Sequence, residues 1–413
     1  MTVRLIVHRS TQEIGGNCVE ITAPDGHRLL LDIGRPLDAA RDAVDLLPAT
    51  LDLGGSPATI LISHPHQDHY GLLQAAPDKW SVHSGAATEK LIKLTSAIVG
   101  EPITRGFRTW TSDRPFQVGP FTVTPILTDH SAFDAYMLLI EIEGKRIQYS
   151  GDFRVHGRKA SLVNRFMSAP PSDIQVMLLE GTNLGAEKPW MSEDELETQF
   201  CRLFEETRGR VFVTWSAQNI DRTVTLYRAC LQTGRTLVVD LYTAEVLELL
   251  GEYANLPRPG WKQIKVVITG AFANLYRAKG NEAFVARMAE HGLAARHLSE
   301  TPSQWVVMTR KSLIRDYARQ NVIPDPDDTW SWSMWRGYLD NEDAKAIKAW
   351  LGGNGARAHH LHTSGHASPD DLRKFAQAVR ADCVVPIHGA AWDTHAEGFA
   401  AIRRLSDGEP LVI

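Results

Sequence analysis

Through the first half of the chain, apolar residues fall into short runs separated by Gly, Pro and Asp. The runs at 3–7, 28–31, 59–62, 121–126, 136–142, 146–149 and 176–179 are rich in β-branched and aliphatic residues and read as strands. Helical periodicity is sparse there, and residues 87–95 fit it best. Near residue 193 the rhythm changes. Helix-like stretches at 193–206, 221–232, 244–254 and 282–291 alternate with apolar runs at 211–215, 236–239, 265–268 and 305–308. Such alternation predicts a parallel sheet built from crossover units. A helix at 341–351 closes that block, and Gly352-Gly353-Asn354-Gly355 reads as a linker. Beyond it the pattern predicts one more strand, a helix at 369–379 and a final strand at 383–387.

Composition narrows the class. At 413 residues the chain exceeds one ordinary domain. A composition 43% hydrophobic and 23% charged excludes global disorder and a collagen-like chain. Cys18, Cys201, Cys230 and Cys383 are widely spaced, which argues against a disulfide scaffold and a thiolate zinc site. The first residues lack the apolar core of a signal peptide, and no apolar run is long enough to span a bilayer. A cytoplasmic protein is expected. The net charge of −5 argues against a broadly basic nucleic-acid surface. Sixteen histidines, many in short clusters, are the unusual feature.

The strongest cluster is Ser63-His64-Pro65-His66-Gln67-Asp68-His69, directly after the strand at 59–62. A regular strand sends alternate side chains to opposite faces, whereas an irregular loop lets four ligand types converge. Imidazole with carboxylate suits zinc and similar divalent ions. Asp129-His130, Gly151-Asp152 and His388-Gly389 also follow strands, and Asp32 follows Leu30-Leu31. Each alone reads as a turn; together they predict ligands meeting at one sheet edge.

His64-Pro65-His66-Gln67-Asp68-His69, with Asp32, His130, Asp152 and His388 in that order, resembles the metallo-β-lactamase fold superfamily. The resemblance implies an αββα sandwich holding two zinc ions, with manganese left open beside zinc. His64, His66 and His130 would hold one ion, Asp68, His69 and His388 the other, and Asp152 would bridge them. Asp32 looks like the acid that orients the histidine loop. Leu179-Glu180-Gly181-Thr182-Asn183, His362-Thr363-Ser364-Gly365-His366-Ala367 and Val384-Val385-Pro386-Ile387-His388-Gly389 resemble the β-CASP branch, in particular ribonuclease J-like proteins. That branch implies a lactamase domain over 1–194, a parallel α/β insert over 195–350 and a return over 351–413.

In that family a histidine at the position of His388 accompanies RNA enzymes, so the resemblance implies hydrolysis of single-stranded RNA. A hydroxide between the ions would attack phosphorus in line, with Asp68, Glu180 and His366 as the catalytic side chains and a 5′-phosphate product. A pair of Glu180 and His366 suits proton donation to the leaving oxygen. Endonuclease and 5′ exonuclease action both stay open. The rivals are a DNA nuclease of the same family, a thioester or lactone hydrolase, and an RNA-binding protein without catalysis.

Other candidates are less specific. His362, Ser364 and the backbone at Gly365 read as phosphate holders. Ser216 and Arg222 resemble the family's Ser…Arg segment near its RNA path. Arg154 and Arg310 are the best basic candidates for a cleft. Trp330-Ser331-Trp332-Ser333-Met334-Trp335 reads either as core packing or as a base-stacking platform. Relatives of this kind continue into a C-terminal domain, whereas this chain stops at Leu411-Val412-Ile413. Any homo-oligomer is therefore expected to form without one.

Overall fold

In the computed structural model, which describes residues 2–40 and 42–413, the most apolar runs become strands buried on both faces. The first part of the chain carries β1 (Arg4–Arg9), β2 (Cys18–Thr22), β3 (Arg28–Leu31), β4 (Ala58–Ile62), β5 (Ser81–Gly85) and β6 (Arg108–Trp110). It continues with β7 (Phe116–Val118), β8 (Phe121–Leu127), β9 (Tyr136–Ile142), β10 (Lys145–Tyr149) and β11 (Val176–Glu180). The middle carries β12 (Val211–Thr214), β13 (Thr236–Val239), β14 (Ile264–Val267), β15 (Gly292–Leu293), β16 (Trp305–Met308), β17 (Thr329–Trp332) and β18 (Arg357–His360). The chain ends with β19 (Cys383–Ile387) and β20 (Pro410–Val412). Contacts divide it into two compact units, Met1–Pro189 with Gly365–Ile413, and Trp190–Ser364.

The first unit holds two sheets, ordered β20-β1-β2-β3-β4-β5-β6 and β19-β11-β10-β9-β8-β7. The period of two along each strand sorts its side chains between layers. Leu29 and Leu31 meet Leu138, Ile140, Leu178, Val385 and Ile387 between the sheets. The alternate residues Met137, Leu139, Met177, Leu179 and Val384 face away, toward Phe166 of the helix Ala160–Ser168 and Phe375 of the helix Pro369–Val379. Leu30, Ile60 and Ile62 likewise cluster with Ile92 of the helix Ala86–Val99. Helices thus cover the outer face of each sheet, which is the expected αββα order. Each fully buried Leu or Ile contributes roughly 1.5–3 kcal/mol.

The second unit is one seven-stranded sheet, ordered β15-β14-β13-β16-β12-β17-β18 and parallel throughout. Its extent differs from the sequence expectation of 195–350. Gly352 and Gly353 end the helix Glu342–Gly353 instead of opening a linker, and the turn falls at Asn354-Gly355. The polar run after it, β18, pairs with β17 through backbone alone and stays in this unit. An edge strand of this kind needs no apolar face, which is why pattern placed it in the return segment.

Candidate metal centre

Parallel strands end on one side, and loops after their carboxyl ends can converge. In the first sheet β3 and β4 are parallel. In the second, β10 is parallel to β11 and β11 to β19, while β8 and β10 both run antiparallel to β9. Asp32, Ser63-His64, Asp129-His130, Asp152, Glu180 and His388 lie at those ends. Asp32 and His388 have left-handed backbones (φ 62° and 48°), a conformation that costs a non-glycine residue about 1 kcal/mol or more. The Asp32 N–H donates to Leu61 O (2.9 Å) and the His388 N–H to Ser10 O (2.8 Å). Gly34 is required by a close approach: a Cβ there would lie 1.7 Å from the Asp68 carbonyl oxygen.

The histidine segment is not wholly irregular. His66 caps a single helical turn, Gln67–Tyr70, which separates Asp68 and His69 in direction. Donor atoms of His64, His66 and His130 lie within 4.8 Å of one another, as do those of Asp68, His69, Asp152 and His388. A third such group is Asp152, Glu180, His366 and His388. Asp152 Oδ2 is central, 3.1 Å from His69 Nε2, 3.6 Å from His64 Nε2, 3.7 Å from His366 Nδ1 and 3.8 Å from His388 Nε2. His388 Nε2 is 3.2 Å from Asp68 Oδ2, and His130 Nε2 is 3.3 Å from His66 Nδ1.

The electrostatics favour a cation at this point. His64 Nε2, His69 Nε2 and both Asp152 carboxylate oxygens are buried with no hydrogen-bond partner among the described residues. Leaving such atoms unmatched costs about 1–3 kcal/mol each. Burial, with neighbouring imidazoles, holds His64 and His130 well below the ordinary histidine range and His66 at about 4. Each therefore keeps a lone pair at neutral pH. Burial alone would raise Asp68 and Asp152, but His69 and His388 hold both below the usual carboxylate range. Burial would lower His69, yet Asp152 and Asp32 raise it well above its ordinary value. The neutral imidazoles of His64, His66 and His130, with the ionised Asp68 and Asp152 beside them, suit divalent metal.

A hydrogen-bonded shell fixes the donors. Asp32 Oδ2 accepts from Tyr149 Oη (2.6 Å), His69 Nδ1 (2.7 Å) and Ser63 Oγ (2.8 Å), and Oδ1 accepts from the Ser63 N–H (2.7 Å). Asn17 Nδ2 donates in turn to Tyr149 Oη (3.2 Å). Thr182 Oγ1 donates to the His388 carbonyl and lies 2.7 Å from its Nδ1, so Nδ1–H points at Thr182 and Nε2 at Asp68. Glu180 Oε2 lies 3.2 Å from His366 Nδ1, and its Oε1 accepts from the Phe153 N–H. Sequence reasoning did not reach Tyr149, Asn17 or the role of Thr182. Tyr149 reads as an ordinary apolar-run residue, and only the fold brings its hydroxyl to Asp32.

The basic candidates behave differently from expectation. Arg154 is fully buried, with its N–H on the Asp129 carbonyl (2.7 Å) and its Nε 3.5 Å from the Asp129 carboxylate. It braces the loop that carries His130 instead of lining a surface. Arg222 is also fully buried, donating to Ser333 O (3.0 Å) and Ser333 Oγ and pairing with Glu193 (3.3 Å). Arg310 is half-buried against Asp240 (3.1 Å). Ser216 is exposed after β12. His362 and Ser364 belong to the second unit, whereas Gly365 belongs to the first. A Cβ at Gly365 would come within 2.4 Å of Ser131 Oγ and 3.2 Å of His130 Cε1, so glycine is needed there.

Residues 12–177 match the metallo-beta-lactamase superfamily. Fold and donor set together define a metallo-β-lactamase-fold protein. Beyond that domain the chain is similar to ribonuclease J proteins. It is 24% identical to "Ribonuclease J" of Helicobacter pylori over 91% of this chain and 54% of that protein. It is 22% identical to "Ribonuclease J" of Sinorhizobium meliloti over 85% of this chain and 62% of that one. The chain thus spans little more than half the length of these curated relatives. A solved protein of unknown function from Enterococcus faecalis V583 shares the fold over 100% of both chains, with a TM-score of 0.80 at 18% identity. Among the described residues no helix is long and apolar enough to cross a membrane.

Proposed function

We propose that this chain is a metal-dependent ribonuclease that hydrolyses phosphodiester bonds of single-stranded RNA. One observation carries the reading: the donors that could hold metal gather beside a Glu180–His366 pair, so a candidate general acid stands next to them. The ribonuclease J relatives support the substrate class. His64, His66 and His130 would hold one divalent ion, and Asp68, His69 and His388 a second, with Asp152 between them. When bound, such ions bring the pKa of a water toward neutrality and offset phosphate charge.

The remaining work falls to the protein. Burial alone would lower the His366 imidazole, but Glu180 and Asp152 hold it at about 9. His366 therefore carries a proton at neutral pH and hands it to the leaving oxygen. Glu180 fixes the ring and stabilises its charged form. Thr182, accepting the His388 Nδ1–H, leaves His388 Nε2 its lone pair, 3.2 Å from Asp68 Oδ2, so that both atoms could serve one ion.

Metal analysis combined with cleavage of 5′-monophosphorylated and 5′-triphosphorylated single-stranded RNA tests the proposal. RNA cleavage that stops on chelation and returns with zinc or manganese is expected. Preferential cleavage of DNA would reassign the substrate. Metal-loaded protein that leaves both RNAs intact and hydrolyses a thioester quickly would overturn the reading. His366→Ala with full metal content is expected to lower RNA turnover about 100-fold or more. Wild-type turnover in that variant would remove the acid role.

A further inference from the structure

The tryptophan-rich segment divides in two. Trp330 and Trp332, on β17, are 3% and 4% exposed inside the second unit's core. Their indole N–H groups donate inward, to Thr214 Oγ1 (3.2 Å) and to the Trp335 carbonyl (3.1 Å). Trp335 is 56% exposed, the one tryptophan on the surface among the described residues. Core packing accounts for the first two rings and leaves the third unexplained.

Trp335 is held in place. A Cβ on Gly337 would fall 2.2, 2.3 and 2.6 Å from Cζ3, Cη2 and Cε3, three consecutive atoms of the six-membered ring. Near-equal distances put residue 337 over the ring face, not its edge. One face of the indole thus rests on a glycine. Tyr338, 37% exposed, meets it edge-on, with ring centroids 5.3 Å apart and an interplanar angle of 89°. The Tyr338 N–H donates to the Trp335 carbonyl (3.2 Å). On both sides the segment is clamped by His360: Arg336 Nε donates to its Nδ1 (3.2 Å), and its Nε2 donates to the Met334 carbonyl (3.1 Å).

We propose that Trp335 and Tyr338, seated by Gly337 and flanked by Arg336, form a base-stacking platform for single-stranded RNA, which rests on the ribonuclease reading above. A ring fixed on its glycine seat and 56% exposed lets a base stack without ordering a mobile side chain, and an adjacent guanidinium suits the phosphate of that nucleotide. Two rings are far too small for a protein partner, since stable interfaces bury about 800 Å² on each side. The chain also points to RNA: β18, which supplies His360, runs on within the same unit to His362 and Ser364, the candidate phosphate holders.

The test is anisotropy of a fluorescein-labelled, nuclease-resistant phosphorothioate oligoadenylate RNA with the metal-loaded full chain. Trp335→Ala is expected to weaken binding about tenfold, at low and high salt alike. Trp335→Phe retains most of the affinity because it keeps a stacking face. Gly337→Ala, which pushes the indole off its seat, behaves like Trp335→Ala. Circular dichroism of each variant confirms folding. Wild-type affinity in a folded Trp335→Ala protein would overturn the platform while leaving the ribonuclease reading intact. So would a change in sedimentation with no change in RNA affinity, which would assign the rings to contact between copies. Failure of the wild-type protein to bind or cleave RNA would instead overturn the ribonuclease reading and the platform with it.

Discussion

Asp32 shows how one carboxylate can set a whole site. Buried and left-handed, it accepts four hydrogen bonds from three side chains and one backbone N–H. Tyr149 matters because its hydroxyl comes from the opposite sheet, β10, to an acid at the end of β3. Tyr149→Phe removes that donor and leaves Asn17 Nδ2 without its acceptor. Metal affinity, measured by competition with a fluorescent chelator, is expected to fall about tenfold. Unchanged affinity would reduce Tyr149 to packing. His83 offers a separate test away from the metal. Burial, aided by Arg108, holds its imidazole at about 4 against an ordinary 6.5. The unfolded chain takes up that proton first, so stability is full above pH 6.5 and declines as pH falls toward 4. His83→Phe, which keeps the stack on Phe116, should flatten the decline in urea unfolding relative to wild type.

At the scale of elements, legibility followed burial. β9, β11 and β19 face apolar layers on both sides and read as unbroken hydrophobic runs. β5, Ser81-Val82-His83-Ser84-Gly85, carries polar residues that the fold buries, so its pattern gave no signal. The helix Lys311–Arg319 has few apolar residues among its charges and was missed for a related reason. The helix at 244–254 in fact begins at Leu241, because Asp240 caps it through Thr243 N–H (2.7 Å). The clustering of His64, His66, Asp68, His69, His130, Asp152 and His388 was legible because residues of these types recur directly after strands; the shell behind them was not, since Thr182 and Tyr149 meet their partners only through tertiary structure. Arg222 was misread from its segment alone. It links the helix Ile220–Thr233 to the end of β17, and its loss would remove the ion pair and hydrogen bond it gives to buried Glu193. Arg222→Met is expected to lower stability by about 3 kcal/mol, checked by urea unfolding. A surface role in RNA binding would instead leave stability unchanged and alter affinity.

For the whole molecule, the net charge of −5 stops being an obstacle once acids are counted by place. Asp32, Asp68, Asp152 and Glu180 are committed to the metal edge, where bound cations would offset them. If the chain binds RNA as proposed, that binding is local and its salt dependence is shallow. Metal removal should also be felt locally. Hydrogen exchange after chelation is expected to rise at residues 63–69, 128–130 and 386–388 while β12, β13 and β16 keep their protection. Faster exchange throughout the second unit's sheet would show that the metal stabilises more than its own edge.

The ligand set is also spread along the chain in time. His64, His66, Asp68 and His69 leave the ribosome early, but His388 follows the entire second unit. β19, which positions it, pairs with β11 across that interruption, and its N–H closes on Ser10 near the start. A nascent chain therefore holds most of the ligands for hundreds of residues of synthesis without the last. The centre is completed only when β19 docks, after the second unit has been made. Until then the four donors of residues 64–69 stand without their partner from β19.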